Sequence, residues 1–510
     1  MGYPNMEKEQ WQVVGFLAGA ISSASVVGKL RPPSEPTDRE KYAHFDDNPI
    51  KRVNEHPVST LSIDVDTGAY SNVRRMLNSG QLPPHDAVRV EEMINYFSYE
   101  YPLPSNLDPP FKVTTEIAPT PWNQHTHLLH IGIKGYDIPK ETLPPANLVF
   151  LVDVSGSMES SDKLDLLKSA LKLLSKQLMA KDKVSLVVYA GASGLVLEPT
   201  PGDQNSKIIA ALEQLTAGGS THGSAGIELA YATAQQAFIK NGINRVLLAT
   251  DGDFNVGTVN FEALINLIEE KRQSGISLTT LGFGTGNYND QLMEQLADAG
   301  NGNYAYIDNL NEAQKVLVDE ISSTLNTIAK DVKIQIEFNS AVVAEYRLIG
   351  YENRRLKRED FSNDKVDAGE IGAGHTVTAL YEMALLGSGG ERIETLRYGE
   401  NNPLPKGQFN DELAFLRLRY KAPNGDTSKL LEWPIMRQAI IKTVNQTSQR
   451  FRFSAAVAAF GQHLRGSQYL LQFSYDDILN LAQSAKGKDP FGYRAELIKL
   501  VKLAKSLSNE

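Results

Sequence analysis

The stretch 147–158, Asn-Leu-Val-Phe-Leu-Val-Asp-Val-Ser-Gly-Ser-Met, limits what this chain can fold into more than any other. Its run of apolar residues delivers an acid and two hydroxyls to its carboxyl end, the pattern of a buried strand that runs into a polar loop. In an open α/β sheet, ligands gather just beyond the carboxyl ends of the parallel strands, which is where Asp153, Ser155 and Ser157 are expected to stand. The spacing Asp-x-Ser-x-Ser puts three oxygen side chains on one turn, and Gly156 lets the backbone curl tightly. Oxygen-only ligands suit a hard cation such as Mg²⁺, but one turn cannot complete an octahedron. Further oxygens are offered by Thr221 in Gly-Gly-Ser-Thr-His-Gly and by Asp251 in Leu-Leu-Ala-Thr-Asp-Gly-Asp, each in a glycine-containing loop of its own. Ser and Asp at one strand end ordinarily make turn hydrogen bonds. Three such loops in this order favour a metal.

With these residues in place the chain resembles the von Willebrand factor type A (VWA) domain, whose metal-ion-dependent adhesion site is Asp-x-Ser-x-Ser followed by a Thr and then an Asp. The resemblance implies that Ser155, Ser157 and Thr221 bind the metal directly, while Asp153 and Asp251 hold it mainly through water. A metal with few anionic ligands stays electrophilic and keeps an exchangeable water, so a carboxylate from outside can become its last ligand. Mg²⁺ is the expected ion, with Mn²⁺ or Ca²⁺ as substitutes.

A chain of 510 residues is long for one domain, and 41% apolar with 22% charged residues describes two or three globular ones. The net charge of −10, without long basic runs, argues against a nucleic-acid footprint. The absence of cysteine excludes disulfides, thiolate nucleophiles and Cys-ligated metal sites. No stretch has the length of a transmembrane helix; the nearest, 13–28, is interrupted by Ser22, Ser23 and Ser25. Trp11, Val14, Leu17 and Ile21 instead follow the spacing of a short amphipathic helix.

In order along the chain, 1–57 is expected to be an arm and linker, its part from Lys29 polar and Pro-rich. Residues 58–110 predict a helical cap, with a strand near Ser59, a helix after it and a second helix over 90–97. Asp64 and Asp66 flank one residue after that strand, as in a phosphatase of the haloacid dehalogenase type. Gly68 stands where that family has Thr, and Arg75 where a Ca²⁺-binding EF-hand needs Glu, so Asp66 or Thr67 is expected to cap the helix instead. Alternation over 111–119 and 127–135 predicts two half-buried strands, placed in 111–140.

Over 145–327 the pattern becomes strand, helix, strand, with helices at 164–179, 225–239 and 290–299 and strands at 184–189, 245–250 and 276–283, a doubly wound α/β domain. The glycine loop 282–287 mimics a dinucleotide fingerprint but comes too late in the unit, and it is expected to shape the rim of the metal face. From 328 to 440 the period returns to two, at 332–338, 342–349, 376–383, 413–420 and 429–434. Pairing these strands with the two at 111–135 gives a discontinuous β-sandwich into which the α/β domain is inserted. The remainder, 441–510, reads as helical, with Lys499, Lys502 and Lys505 along one solvated face. The fold class is therefore α/β plus β, with helical segments at both ends.

Wording outside the α/β domain narrows the resemblance. Ser-Ile-Asp-Val-Asp-Thr at Ser62, Glu-Glu-Met-Ile-Asn-Tyr-Phe at Glu91, Gly-Tyr-Glu-Asn-Arg at Gly350 and Asp-Ala-Gly-Glu-Ile-Gly-Ala-Gly-His at Asp367 are similar to a bacterial group of VWA proteins. These carry an added N-terminal segment and a C-terminal domain of unknown function. The group implies a cell-envelope or periplasmic protein, commonly a lipoprotein, although a lipoprotein needs an acylated cysteine and this chain has none. The expected function is metal-dependent capture of a protein partner that presents an Asp or Glu carboxylate. One alternative is a scaffold whose site is capped from within, by Asp253, Glu198 or a carboxylate of the N-terminal cap. A metal-assisted hydrolase is the other; it lacks a general base, for His222 beside Thr221 is the nearest candidate, and phosphoryl-clamping Lys or Arg are missing from 153–158 and 251–257.

Overall fold

The computed structural model describes residues 40–63, 65–105, 108–219, 223–252, 261–394, 396, 409, 411–423 and 425–508. In chain order the first elements are β1 (Lys51–Arg52), β2 (Val58–Ser62), α1 (Gly68–Asn78), α2 (Val90–Asn95), β3 (Phe111–Thr120) and β4 (Asn123–Gly135). Then come β5 (Ala146–Asp153), α3 (Leu166–Ser175), β6 (Lys183–Tyr189), β7 (Ser193–Pro201), α4 (Asn205–Glu213), α5 (Gly223–Gln236) and β8 (Ile243–Thr250). The α/β region closes with α6 (Phe261–Arg272), β9 (Ser277–Phe283), α7 (Asp290–Ala299), β10 (Tyr304–Ile307), α8 (Leu310–Gln314) and α9 (Ile321–Leu325). The last strands are β11 (Thr327–Phe338), β12 (Val343–Ile349), β13 (Ile371–Gly372), β14 (Thr376–Leu385), β15 (Glu412–Lys421) and β16 (Ser428–Met436). Three helices end the chain: α10 (Gln449–Leu464), α11 (Tyr475–Ser484) and α12 (Tyr493–Ser508).

The α/β region is a six-stranded sheet in the order β10-β9-β8-β5-β6-β7. Every residue of β5 is buried, which is why its sequence is continuously apolar rather than alternating. β5 pairs in parallel with β6 and β8, and both faces of the sheet carry an apolar layer of helices. The sequence pattern missed β7, an antiparallel edge strand on β6 whose outward residues are polar or exposed.

Two antiparallel sheets form the second body of the fold, one in the order β1-β12-β14-β4-β3 and one in the order β13-β11-β15-β16 with β2 added to β11. Strands from before and after the α/β region therefore pair directly, as β4 does with β14 from His127–Met383 to Lys134–Thr376. The two sheets share one apolar core that includes Ile131, Ile334, Tyr381 and Leu416. The chain leaves and returns at one place: a Cβ on Gly135, at the end of β4, would lie 2.7 Å from Ile328 Cδ1, at the start of β11.

A third core joins α1 and α2 to α10, α11 and α12. Within it α10 is buried almost all round, from Phe451 to Phe460, so its Ala-rich sequence is that of a central helix packed on every side. The N-terminal helices are thus not a separate cap; they and the C-terminal helices make one body. Residues 40–57 also differ from the expected linker: β1 pairs with β12, and the Lys41 amide donates to the Tyr288 carbonyl at 2.9 Å. The 13–28 stretch lies outside the described residues. Among the described residues no helix is long and apolar enough to cross a membrane.

Neither Asp66 nor Thr67 caps α1 with its side chain. Asp66 instead accepts from the Tyr304 amide at 2.8 Å and from Arg354 at 3.3 Å, while Glu92 takes the Ala69 amide at the start of α1 at 2.7 Å. These contacts belong to a buried ionic seam between α1, α2 and the α/β region. Arg74 donates to Asp308 at 2.9 Å, Glu312 at 2.8 Å and Glu496 at 3.2 Å. Arg89 pairs with Glu92 and Asp290, and Arg354 with Glu294 at 2.9 Å and Asp298 at 2.6 Å.

Candidate functional site

Asp153 is the last residue of β5 and is fully buried. Its Oδ1 accepts from the Ser155 amide at 2.9 Å; its Oδ2 accepts from the Thr250 hydroxyl at 2.8 Å and the Tyr189 hydroxyl at 3.2 Å. The Asp-x-Ser spacing makes the first bond local, and the parallel neighbours β8 and β6 supply the other two from their carboxyl ends. Burial pushes the Asp153 carboxyl above its ordinary range, the Ser155 and Thr250 hydrogen bonds act against that, and neighbouring Asp251 adds to it. The Tyr189 phenol is pushed far up by burial and stays a donor. A carboxylate held by three donors is fixed in place and suited to orienting a water rather than to binding an ion itself.

Ser155 is buried, Ser157 half-buried, and their Oγ atoms are 3.0 Å apart. The loop that leads to Thr221 is stitched to this turn: the Gly218 amide donates to the Val154 carbonyl at 2.8 Å and the Gly156 amide to the Gly219 carbonyl at 3.1 Å. Thr221 and His222 lie outside the described residues, as does Asp253. Asp251 follows β8, is fully buried, and is close enough to Asp153 to perturb its charge. Gly252 after it has φ +78°, and a Cβ there would come 2.7 Å from the Asn289 amide, so glycine is required for this loop to meet the one before α7. Of the five predicted metal residues, the structure brings Asp153, Ser155, Ser157 and Asp251 to one end of the sheet.

Two residues beside Asp251 escaped the sequence reading. Lys163 Nζ donates to Asp251 Oδ2 and to Asn287 Oδ1, each at 2.9 Å, and Asn287 Nδ2 donates to the same Asp251 oxygen at 3.1 Å. Lys163 sits in a π-helical turn, Ser161–Asp165, ahead of α3, and that wider turn directs it inward. The windows 153–158 and 251–257 held no basic residue, but Lys163 reaches the site from five residues beyond the first. Asn287 belongs to the glycine loop after β9, which reaches Asp251 at the carboxyl end of the sheet. Glu198, a candidate internal cap, is exposed on β7. His375 is a half-buried loop histidine whose Nδ1 accepts from the Gly372 amide at 3.1 Å, and Trp122 is packed in the helical core with its indole N–H on Glu382 at 3.2 Å.

A mostly parallel sheet with these loops at its carboxyl edge defines the VWA class, and residues 148–253 match the "von Willebrand factor type A domain" family. The "von Willebrand factor" family matches residues 36–130, and "Uncharacterized protein YfbK, C-terminal" matches residues 323–507. As a whole the chain belongs to the family of YfbK from Escherichia coli strain K12, to which it is 50% identical over 475 residues, or 92% of this chain and 82% of that one. A shorter likeness, 36% identity over 120 residues, links it to the magnesium-chelatase 60 kDa subunit of Rhodobacter capsulatus, covering 22% of this chain and 21% of that one. Among solved structures it resembles a von Willebrand factor type A protein from Catenulispora acidiphila, with 13% identity, coverage of 77% and 88%, and a TM-score of 0.42.

Proposed function

We propose that this protein is a metal-ion-dependent protein-binding module in which Mg²⁺, or Mn²⁺ or Ca²⁺ in its place, is held by Asp153, Ser155, Ser157, Thr221 and Asp251 and captures a partner's Asp or Glu carboxylate. The observation that carries this reading is the 3.0 Å spacing of the Ser155 and Ser157 hydroxyls above a carboxylate already engaged by three donors. Adjacent oxygens of an octahedral Mg²⁺ shell with bonds of about 2.0–2.1 Å lie about 2.9–3.0 Å apart, so these hydroxyls are spaced as neighbouring ligands. The donor set fits a hard cation: hydroxyls and carboxylates, with no sulfur and no imidazole among the described members. When bound, the metal supplies an electrophilic position for an incoming carboxylate. Asp153 and Asp251 orient waters, and the serine hydroxyls turn their lone pairs inward.

The two antiparallel sheets act as a discontinuous β-sandwich that holds the α/β insert at a fixed angle, through the adjacent entry and exit at Gly135 and Ile328. The resemblance of the segments at Ser62, Glu91, Gly350 and Asp367 to a bacterial group of envelope VWA proteins favours a place in the cell envelope, where such a module would assemble with an acidic surface of another protein. Titration calorimetry of Mg²⁺ and Mn²⁺ into chelator-treated protein tests the reading, wild type beside Asp153→Ala with Ser155→Ala. Saturable binding lost in the double variant supports it, and equal binding in both proteins removes it.

A further inference from the structure

Lys163 is the feature of the metal face that the five-residue adhesion motif does not explain. It is a buried lysine, 7% exposed, whose ammonium rests on a fully buried carboxylate. Its stem has a built slot: Gly284 has φ +77°, and a Cβ there would overlap the Lys163 methylenes, so any other residue at 284 would expel the side chain. Asn287 bridges the pair by accepting from Lys163 and donating to Asp251. The far side of the same loop is fastened to the segment ahead of β1, where Glu40 accepts from the Gly286 amide at 3.0 Å and Lys41 donates to the Tyr288 carbonyl at 2.9 Å.

Burying an ammonium is costly, and its pairing with Asp251 offsets that cost only in good geometry, so a lysine at this place calls for a role that packing alone does not supply. Electrostatics supplies the role. Two carboxylates and a divalent ion make a site without net charge, so an incoming anion is drawn only by the metal's open position. With the Lys163 ammonium included, the loaded site carries one net positive charge, which a single incoming carboxylate cancels. The same ammonium opposes the metal, because the two cations share Asp251.

We infer that Lys163 is a built-in counter-cation of this site, competing with the divalent ion for Asp251 so that metal binding is weakened while the loaded site is left positive for an acidic ligand. The inference rests on the metal-dependent reading above. In full-length protein, Lys163→Gln and Lys163→Met remove the charge, the first keeping a hydrogen-bond donor should the second fold poorly. Mn²⁺ titrations followed by calorimetry should show tighter binding than wild type in both, on the order of tenfold. Thermal midpoints without metal should fall, and saturating Mn²⁺ should restore them to near the wild-type value. A variant that folds only with Mn²⁺ present supports the inference, because the metal then takes over the neutralisation of Asp251. Binding by the variants and none by wild type supports it too, and describes a site locked by its own lysine. Wild-type binding with equal or weaker affinity in the variants overturns the inference and leaves the metal site standing. Binding in none of the three proteins overturns the metal reading and the inference with it.

Discussion

Two regions of this molecule bury carboxylates, and they hold them in opposite ways. In the seam against α1 and α2, guanidinium groups hold Asp290, Glu294, Asp308 and Glu312. At the carboxyl end of the α/β sheet, Asp153 is held by two hydroxyls and an amide, and among the described residues Asp251 by an ammonium and an amide side chain. An Arg fork donates in a fixed plane and has no lone pair to offer, so a carboxylate it holds is finished as a ligand. A hydroxyl can turn and accept, and an ammonium on a flexible stem can yield. Both regions bury their carboxylates, but the seam is dominated by guanidinium groups and the second region by groups that can exchange partners.

If this contrast is right, breaking the seam should cost stability and little else. Arg74→Met leaves Asp308 and Glu312 buried with one partner fewer, and the expected loss is about 3–5 kcal/mol, read as a lower urea midpoint by circular dichroism. A loss under about 1 kcal/mol would mean that water enters the seam freely and that the two regions are less different than their contacts suggest.

Acid gives the next largest effect. His130 is fully buried and His375 half-buried, and desolvation first, then nearby Arg450 for one and Lys134 for the other, lowers each to about 3. An exposed imidazole in the unfolded chain takes up its proton near 6.5, so below that pH the unfolded state binds protons the folded state refuses. The stability is complete above about pH 6.5 and declines as pH falls toward 3, by about 1.4 kcal/mol per pH unit for each imidazole that stays neutral. Substituting His130→Gln and His375→Asn should flatten urea midpoints between pH 6.5 and 4.5. An unchanged slope would assign the acid sensitivity to carboxylates instead.

A smaller loss should come from Gly68→Ala, where a Cβ would meet the Tyr304 ring. Tyr304 donates to Asp290 at 2.6 Å, so displacing the ring disturbs the seam from its edge, at about 1–3 kcal/mol for an overpacked contact. Thermal unfolding of the variant measures it, and an unchanged midpoint would show that the seam can shift without cost.

The site was more legible in the sequence than its surroundings, for a physical reason. Asp153, Ser155 and Ser157 lie on one turn, so their relation is local, and a continuous apolar strand announces where the turn sits. Several α/β elements were equally readable from their own period, as the 290–299 helix, which matches α7 residue for residue, whereas the edge strand β7 and the short β10 were missed. Lys163 was not, because its role depends on a π-helical turn and a glycine slot more than a hundred residues away, and a lysine ahead of an amphipathic helix looks solvated. The seam was invisible for the same reason: Arg74 and Glu312 meet across 238 positions, and no periodicity encodes that meeting. Residues 40–57 read as linker because their ordering comes from pairing with β12, a partner the local text does not contain.

The sharpest form of the comparison is the variant with the smallest effect on folding. Ser157 is half-buried, and its hydroxyl pairs with that of Ser155 at the edge of the site. Replacing it with alanine removes one hydrogen bond of ordinary strength, and unfolding should change by no more than about 1 kcal/mol. The metal would lose one of its direct ligands, so Mn²⁺ affinity should fall at least on the order of tenfold. Set beside Arg74→Met, which should leave affinity alone and lower stability, this separates the two functions of buried polar groups in one molecule. If Ser157→Ala kept full Mn²⁺ affinity, its hydroxyl would be a structural turn group, and the metal reading would lose the spacing on which it stands.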